Sequence, residues 1–169
     1  VRFSHMVTLA VLGSTLMFAS WFLLAPYQKD RIDTFLHPER DPKGSGYNVL
    51  QSMVAVGSGG VFGKGIGNGS QSQLSFLPEK HTDFIYAVVT EELGLVGGWL
   101  VLVLYGVILY RIYRIATLAR DNAGYLLSVG VFILFVTHIA INIGMNIGVL
   151  PVTGLPAPLL SYGGSSLLA

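Results

Sequence analysis

The chain has 169 residues, 52% of them hydrophobic and 11% charged, with a net charge of +1, no cysteine and a mean hydropathy of +0.63. A soluble domain carries roughly 25% charged residues, so the soluble globular class is excluded, and no basic cluster suggests a nucleic-acid partner. Without cysteine there are no disulfides and no thiolate metal sites.

Long uncharged runs predict an all-α polytopic membrane protein. Residues 6–27 and 93–110 contain no Lys, Arg, Asp or Glu, and residues 122–169 carry no ionisable side chain but His138 and Tyr. A bilayer core is crossed by about 20 apolar helical residues. Four spans are therefore expected, at about 4–25, 84–110, 122–147 and 160–169, the last one cut short. The first is too long for a signal peptide and lacks a cleavage-like end. Starting at Val1 and stopping inside an apolar run at Ala169, the chain reads as a piece of a longer protein.

Orientation follows from basic residues. Arg2 precedes the first span, and Arg111, Arg114 and Arg120 fill the link 111–121 between the second and third. Lys/Arg excess in a short link marks the cytoplasmic side, so the long segment 26–82 lies outside. That segment mixes turn signals at His37-Pro38 and Asp41-Pro42 with a helical pattern at Val49, Leu50, Met53, Val54 and Val56. The pattern predicts a short amphipathic helix along the membrane surface.

Residues 57–69, "GSGGVFGKGIGNG", contain seven glycines. They do not make a Walker loop: Ser58 stands where Gly is needed and Gly65 where Ser or Thr is needed. Tight turns packed against other backbone, or bare amides and Lys64 contacting a pyrophosphate, are the two readings that remain.

The next stretch, "LPEKHTDF", opens the second span. Thr82 or Asp83 is a candidate N-cap for a helix starting near Phe84. The crowding of Glu79, Lys80 and His81 before it also makes Asp83 a candidate general base for a lipid head group. Along the helix Thr90, Gly94, Ala87 and Gly97 share one small, polar face suited to packing against protein. Glu91 and Glu92 lie roughly 12 to 14 Å deeper than Asp83 at 1.5 Å per residue. Intramembrane acids need a partner or a wet cavity, and cationic partners are expected from outside this stretch of chain.

In the third span His138, Asn142 and Asn146 recur every fourth residue. They face either the bundle interior, as interhelical hydrogen bonds, or a cavity. Pro151, Pro156, Pro158 and Gly154 then forbid a helix and predict a re-entrant loop over 148–160 before Ser161.

Two segments, "GSGGVFGKGIGNGSQSQLSFLPEKHTDFIYAVVTEELGLVGG" and "NIGVLPVTGLPAPLLSYGGSSLL", closely resemble the SEDS family (shape, elongation, division and sporulation; RodA, FtsW and SpoVE). "GNGSQSQLSFLPEKHTDF" is more similar to the RodA branch than to the FtsW branch. Ala157 departs from the Leu more often found there. The resemblance implies the second half of a ten-helix fold, with residues 26–82 as the large fourth extracellular loop. It also implies a peptidoglycan glycosyltransferase that polymerises lipid II on the outer face of the bacterial cytoplasmic membrane, with the essential acid falling on Asp83. A divalent cation such as Mg²⁺, with unknown ligands, and a class B penicillin-binding protein are the implied cofactor and partner.

On this basis Lys64, Glu79, Lys80, His81, Ser161 and Ser165 are expected to contact substrate. Glu91, His138, Asn142 and Asn146 are expected to line the cavity. A lipid-precursor flippase or transporter, and a non-catalytic scaffold for a transpeptidase, are the rival readings.

Overall fold

The structure is a computed structural model, and it describes residues 24–41, 44–70 and 82–161 together with Val11, Thr15 and Phe22. The first expected span and most of the fourth fall outside the described residues, as do Glu79, Lys80, His81 and Ser165. Among the described residues there are helices and turns and no strand.

Helix α1 runs Pro26–Leu36. Proline suits the first helical position because its missing N–H has no partner there in any case. The Gln28 side chain reaches back 3.0 Å to the Ala25 N–H, one half of a capping box. Pro38 stops the helix and starts a 3₁₀ turn, Pro38–Arg40. Asp41 then prepares the next element: its carboxylate accepts the Gly46 N–H at 3.3 Å and its carbonyl the Tyr47 N–H at 3.1 Å.

Helix α2, Ser45–Ser58, is the helix expected in the outer segment. Its buried stripe is Gly46, Val49, Ser52 and Ala55, smaller than the apolar pattern suggested. Small side chains let α2 dock closely on two longer helices. The Ser52 hydroxyl bonds the Asn146 carbonyl at 3.2 Å, and Ala55 packs with Phe84 and Ala87 in one buried cluster.

Helices α3, Ile85–Leu118, and α4, Asn122–Asn146, are both long and apolar enough to cross a membrane. The second span was expected to end near residue 110, with a link over 111–121. Instead α3 continues to Leu118 and only residues 119–121 connect it to α4. No glycine or proline interrupts residues 111–118, and Arg111 and Arg114 are exposed on the helix surface. Asp121 caps α4 through the Gly124 N–H at 3.2 Å.

Trp99, Leu100, Val103 and Leu104 on α3, with Leu126, Leu127 and Ile133 on α4, are exposed. A water-soluble protein would bury such rows, so these faces meet lipid or further helices. The two helices join through Tyr86, Val101, Tyr105 and Ile139.

Candidate functional site

The Gly-rich segment explains itself through α3. At Gly94 the helix breaks, with φ 70° and ψ −164°, a combination open essentially to glycine alone. An unbroken helix would bond the Leu95 and Val96 amides to the Glu91 and Glu92 carbonyls. Here the loop intercepts all four groups. Leu95 N–H donates to Gly60 O at 2.9 Å and Val96 N–H to Val61 O at 3.2 Å. Lys64 N–H donates to Glu91 O at 3.1 Å and Gly65 N–H to Glu92 O at 3.0 Å. A Cβ on Gly59 would strike the Thr90 carbonyl, and one on Gly63 the Glu92 carbonyl. Gly59 and Gly63 therefore serve close backbone approach, and Gly60, Gly63, Gly65 and Gly67 turn the chain at positive φ, in keeping with the first of the two readings.

Lys64 does not stay free for a pyrophosphate. Its ammonium lies 3.0 Å from Glu91 Oε1 and 2.8 Å from the Ser70 hydroxyl, which itself donates to Glu91 Oε1 at 3.2 Å. Glu91 is fully buried, so it lines no cavity. Its cation comes from this same chain rather than from elsewhere, because the loop inserted at Gly94 carries Lys64 to the depth of the carboxylate. The Ala87, Thr90, Gly94 and Gly97 face packs against protein as expected.

Asp83 sits one residue before the N-cap of α3, which is Phe84, with no capping bond from the Phe84 side chain. A first-turn donor, the Ala87 N–H, is taken by Asn146 Oδ1 at 3.1 Å. The cap is thus supplied across the bundle by α4. Asn142 Nδ2 and Asn146 Nδ2 each donate to the Asp83 carbonyl at 3.0 Å. Both asparagines are fully buried. They do not line a cavity but fix backbone, because a buried carboxamide is tolerated only when its hydrogen bonds are made. His138, a turn earlier, is partly exposed.

The Pro-rich segment is non-helical over residues 151–157, as its prolines require. Three helices hold its carbonyls. Arg31 of α1 donates to Thr153 O at 3.0 Å, Asn142 of α4 to Leu155 O at 2.9 Å, and Tyr105 of α3 to Pro158 O at 2.8 Å. Such anchoring satisfies backbone groups that no helix or sheet holds. Ser161 is buried and returns its hydroxyl to Ala157 O at 3.0 Å, a structural bond within the loop.

Asp83, half-buried, turns its carboxylate toward this loop: Oδ2 lies 3.6 Å from where a Cβ on Gly154 would stand. Arg31, exposed on α1, grips the neighbouring residue. Arg31 and Thr153 were not singled out from sequence. Nothing in a local pattern brings α1 to a loop more than a hundred positions away. The Thr153 hydroxyl is buried with no hydrogen-bond partner among the described residues. No group of three or more His, Asp or Glu side chains able to hold a metal gathers among the described residues.

An all-helical membrane protein emerges, with one helix of spanning length broken and filled by a Gly-rich loop, and with an acid facing an anchored non-helical segment. The family model described as "Cell cycle protein" (FTSW_RODA_SPOVE) matches residues 1–169, and the chain belongs to that family. It is 49% identical over 148 residues to "Peptidoglycan glycosyltransferase MrdB" of Escherichia coli K12, covering 88% of this chain and 40% of that one. It is 46% identical over 166 residues to "Stage V sporulation protein E" of Bacillus subtilis, covering 98% and 45%. It is 46% identical over 145 residues to "Peptidoglycan glycosyltransferase RodA" of Treponema pallidum, covering 86% and 34%. A solved structure described as "Structural coordination of polymerization and crosslinking by a peptidoglycan synthase complex" superposes with a TM-score of 0.73 at 34% identity, covering 98% of this chain and 45% of that one. The chain thus spans less than half the length of these relatives.

Proposed function

We propose that this chain belongs to a peptidoglycan glycosyltransferase that joins lipid II units into β-1,4 glycan strands for cell-wall elongation, with Asp83 as general base. The observation that carries the reading is the placement of the Asp83 carboxylate. It is half-buried, aimed at Gly154, and set on a backbone clamped by Asn142 and Asn146. The names of the relatives support the reaction class.

In this reading Asp83 accepts the proton of the acceptor sugar 4-hydroxyl as its oxygen attacks the donor anomeric carbon. The bond from that carbon to the undecaprenyl pyrophosphate oxygen breaks, its electron pair leaves with the pyrophosphate, and configuration inverts. A cation near the departing phosphates lowers the barrier by offsetting the charge that gathers there. Since Lys64 is committed to Glu91, Arg31 is the better-placed group among the described residues, and the Thr153 hydroxyl adds a donor in the same loop. A cavity of about 130 Å³ lined by Val101, Leu104, Tyr105, Ile108 and Pro158 gives the prenyl chain apolar surface beside the re-entrant segment. A divalent cation such as Mg²⁺ is implied by resemblance; Mg²⁺ is commonly held by one or two carboxylates together with substrate phosphates and waters, and such an ion would offset charge on the departing pyrophosphate.

The active face is then extracytoplasmic and the membrane is the bacterial inner membrane. A class B penicillin-binding protein is the proposed partner, in keeping with the synthase complex that the chain resembles. The rival reading, a lipid flippase, draws on the broken helix, since discontinuous spans also mark transport pathways. Against it, the groups freed at Gly94 are all bonded by the loop and open to no cargo. Full-length protein in detergent separates the two, because no second compartment exists there. Glycan polymer made from lipid II supports the enzyme, and lipid II transfer in vesicles without polymer supports the flippase.

A further inference from the structure

Asn142 has a single carboxamide, and both hydrogens of its Nδ2 are spent on backbone that no helix or sheet holds. One goes 3.0 Å to the Asp83 carbonyl, in the turn before α3, and the other 2.9 Å to the Leu155 carbonyl, in the non-helical run. The residue before Leu155 is Gly154, which faces Asp83 Oδ2. One buried side chain therefore ties together the two stretches of backbone that flank the carboxylate. We infer that Asn142 is a positioning residue for glycosyl transfer: it sets the gap between the Asp83 carboxylate and Gly154, where the acceptor hydroxyl must enter. This rests on the reading of Asp83 as the base.

Asn146, one turn on, is a different kind of residue. It donates to Asp83 O as well, but its other partners are the Ala87 N–H, the Asn142 carbonyl and, at 3.4 Å, the Asn142 Oδ1, all on α3 or α4. Its loss uncaps α3 and is felt as stability. Asn142 alone of the pair reaches the re-entrant loop. Neither Arg31 nor Tyr105 does the same, because their bonds hold the loop at Thr153 and Pro158 while Asn142 alone holds both Leu155 and the Asp83 carbonyl. Released at Leu155, residues 151–157 stay tethered at Thr153 and Pro158 and shift only between those points. That is the region facing the acid, and a misplacement of about 1 Å at a reacting group costs on the order of 10²-fold in rate.

The test uses the full-length protein with lipid II. Asn142→Leu keeps the branching at Cγ and the neutrality, is somewhat larger, and donates nothing. Its kcat should fall on the order of 10²-fold with KM within about twofold, because substrate contacts survive while the base is misplaced. Asn142→Gln, which keeps a two-hydrogen donor, should recover part of that loss. Turnover of Asn142→Leu within about threefold of the parent, or a loss no larger than the loss of folded protein, overturns the inference. Should Asn142→Leu not fold, Gly154→Ala decides, since that position is exposed. Its new Cβ would stand 3.6 Å from Asp83 Oδ2, an ordinary contact, but a side chain at φ 72° strains the backbone and shifts the loop facing the acid, so kcat should drop at least about 10-fold at unchanged KM. Unchanged turnover there overturns the inference equally. Asp83→Asn run in parallel keeps the two claims apart. If it is inactive while Asn142→Leu and Gly154→Ala are fully active, the positioning role alone fails. If it is active, the base reading fails.

Discussion

The ammonium of Lys64 lies 3.0 Å from the Glu91 carboxylate, joining the Gly-rich loop to the second turn of the long helix α3. Removing one partner of a buried ion pair leaves the other uncompensated and typically costs about 3–5 kcal/mol. Lys64→Met should sit near the lower end of that range, ~3 kcal/mol, because Lys64 is 30% exposed while Glu91 is sealed. The double variant Lys64→Met/Glu91→Leu should recover most of the loss. Thermal unfolding in detergent measures both. A single variant as stable as the parent would mean that the pair is not what holds Glu91.

Gly94→Ala should undo the splice between loop and helix. An added Cβ meets the Val61 carbonyl in a conformation that only glycine adopts readily, a strain of order 1–3 kcal/mol before the clash is counted. Amide exchange reads the result directly. The Leu95 and Val96 amides are protected through Gly60 O and Val61 O, and in Gly94→Ala they should exchange far faster while the amides of α4 do not change. Equal protection in both proteins would show that the break survives without glycine.

These two residues also mark how far sequence reading went. The all-helical membrane class, a helix around residues 49–56, the irregular Pro-rich run and the packing face at Ala87, Thr90, Gly94 and Gly97 were all legible, because hydropathy and periodicity are local. The break at Gly94 was not, since one glycine among many in a membrane helix carries no sign of a loop bonded into it. For the same reason Glu91 was assigned a cation from elsewhere, although Lys64 lay 27 positions away. Asn142 and Asn146 were rightly seen as facing inward. That they would be spent on Asp83 and Leu155 backbone depends on how α3, α4 and the loop converge, which no spacing within α4 encodes. The helix running on to Leu118 was not foreseen because three arginines look like a link, whereas Arg111 and Arg114 sit on the helix and only Arg120 lies in the short connection.

Arg31 carries a prediction of its own. Arg31→Gln should lower turnover by about 10²-fold if the guanidinium faces the leaving pyrophosphate, the usual scale for one lost charge-stabilising donor. Arg31→Lys should fall between, keeping the charge but not the planar fork. Steady-state kinetics on lipid II gives the order of the three proteins. Arg31→Gln turning over as fast as the parent would leave Arg31 only its bond to the Thr153 carbonyl.

The most direct measurement is the rate of lipid II polymerisation by the full-length protein carrying Asp83→Asn. The substitution preserves shape and leaves the backbone carbonyl available to Asn142 and Asn146. Folding and melting temperature should therefore stay close to those of the parent. Loss of a general base predicts a drop of about 10²- to 10⁴-fold. A folded Asp83→Asn protein that makes glycan strands at close to the parental rate would contradict the account.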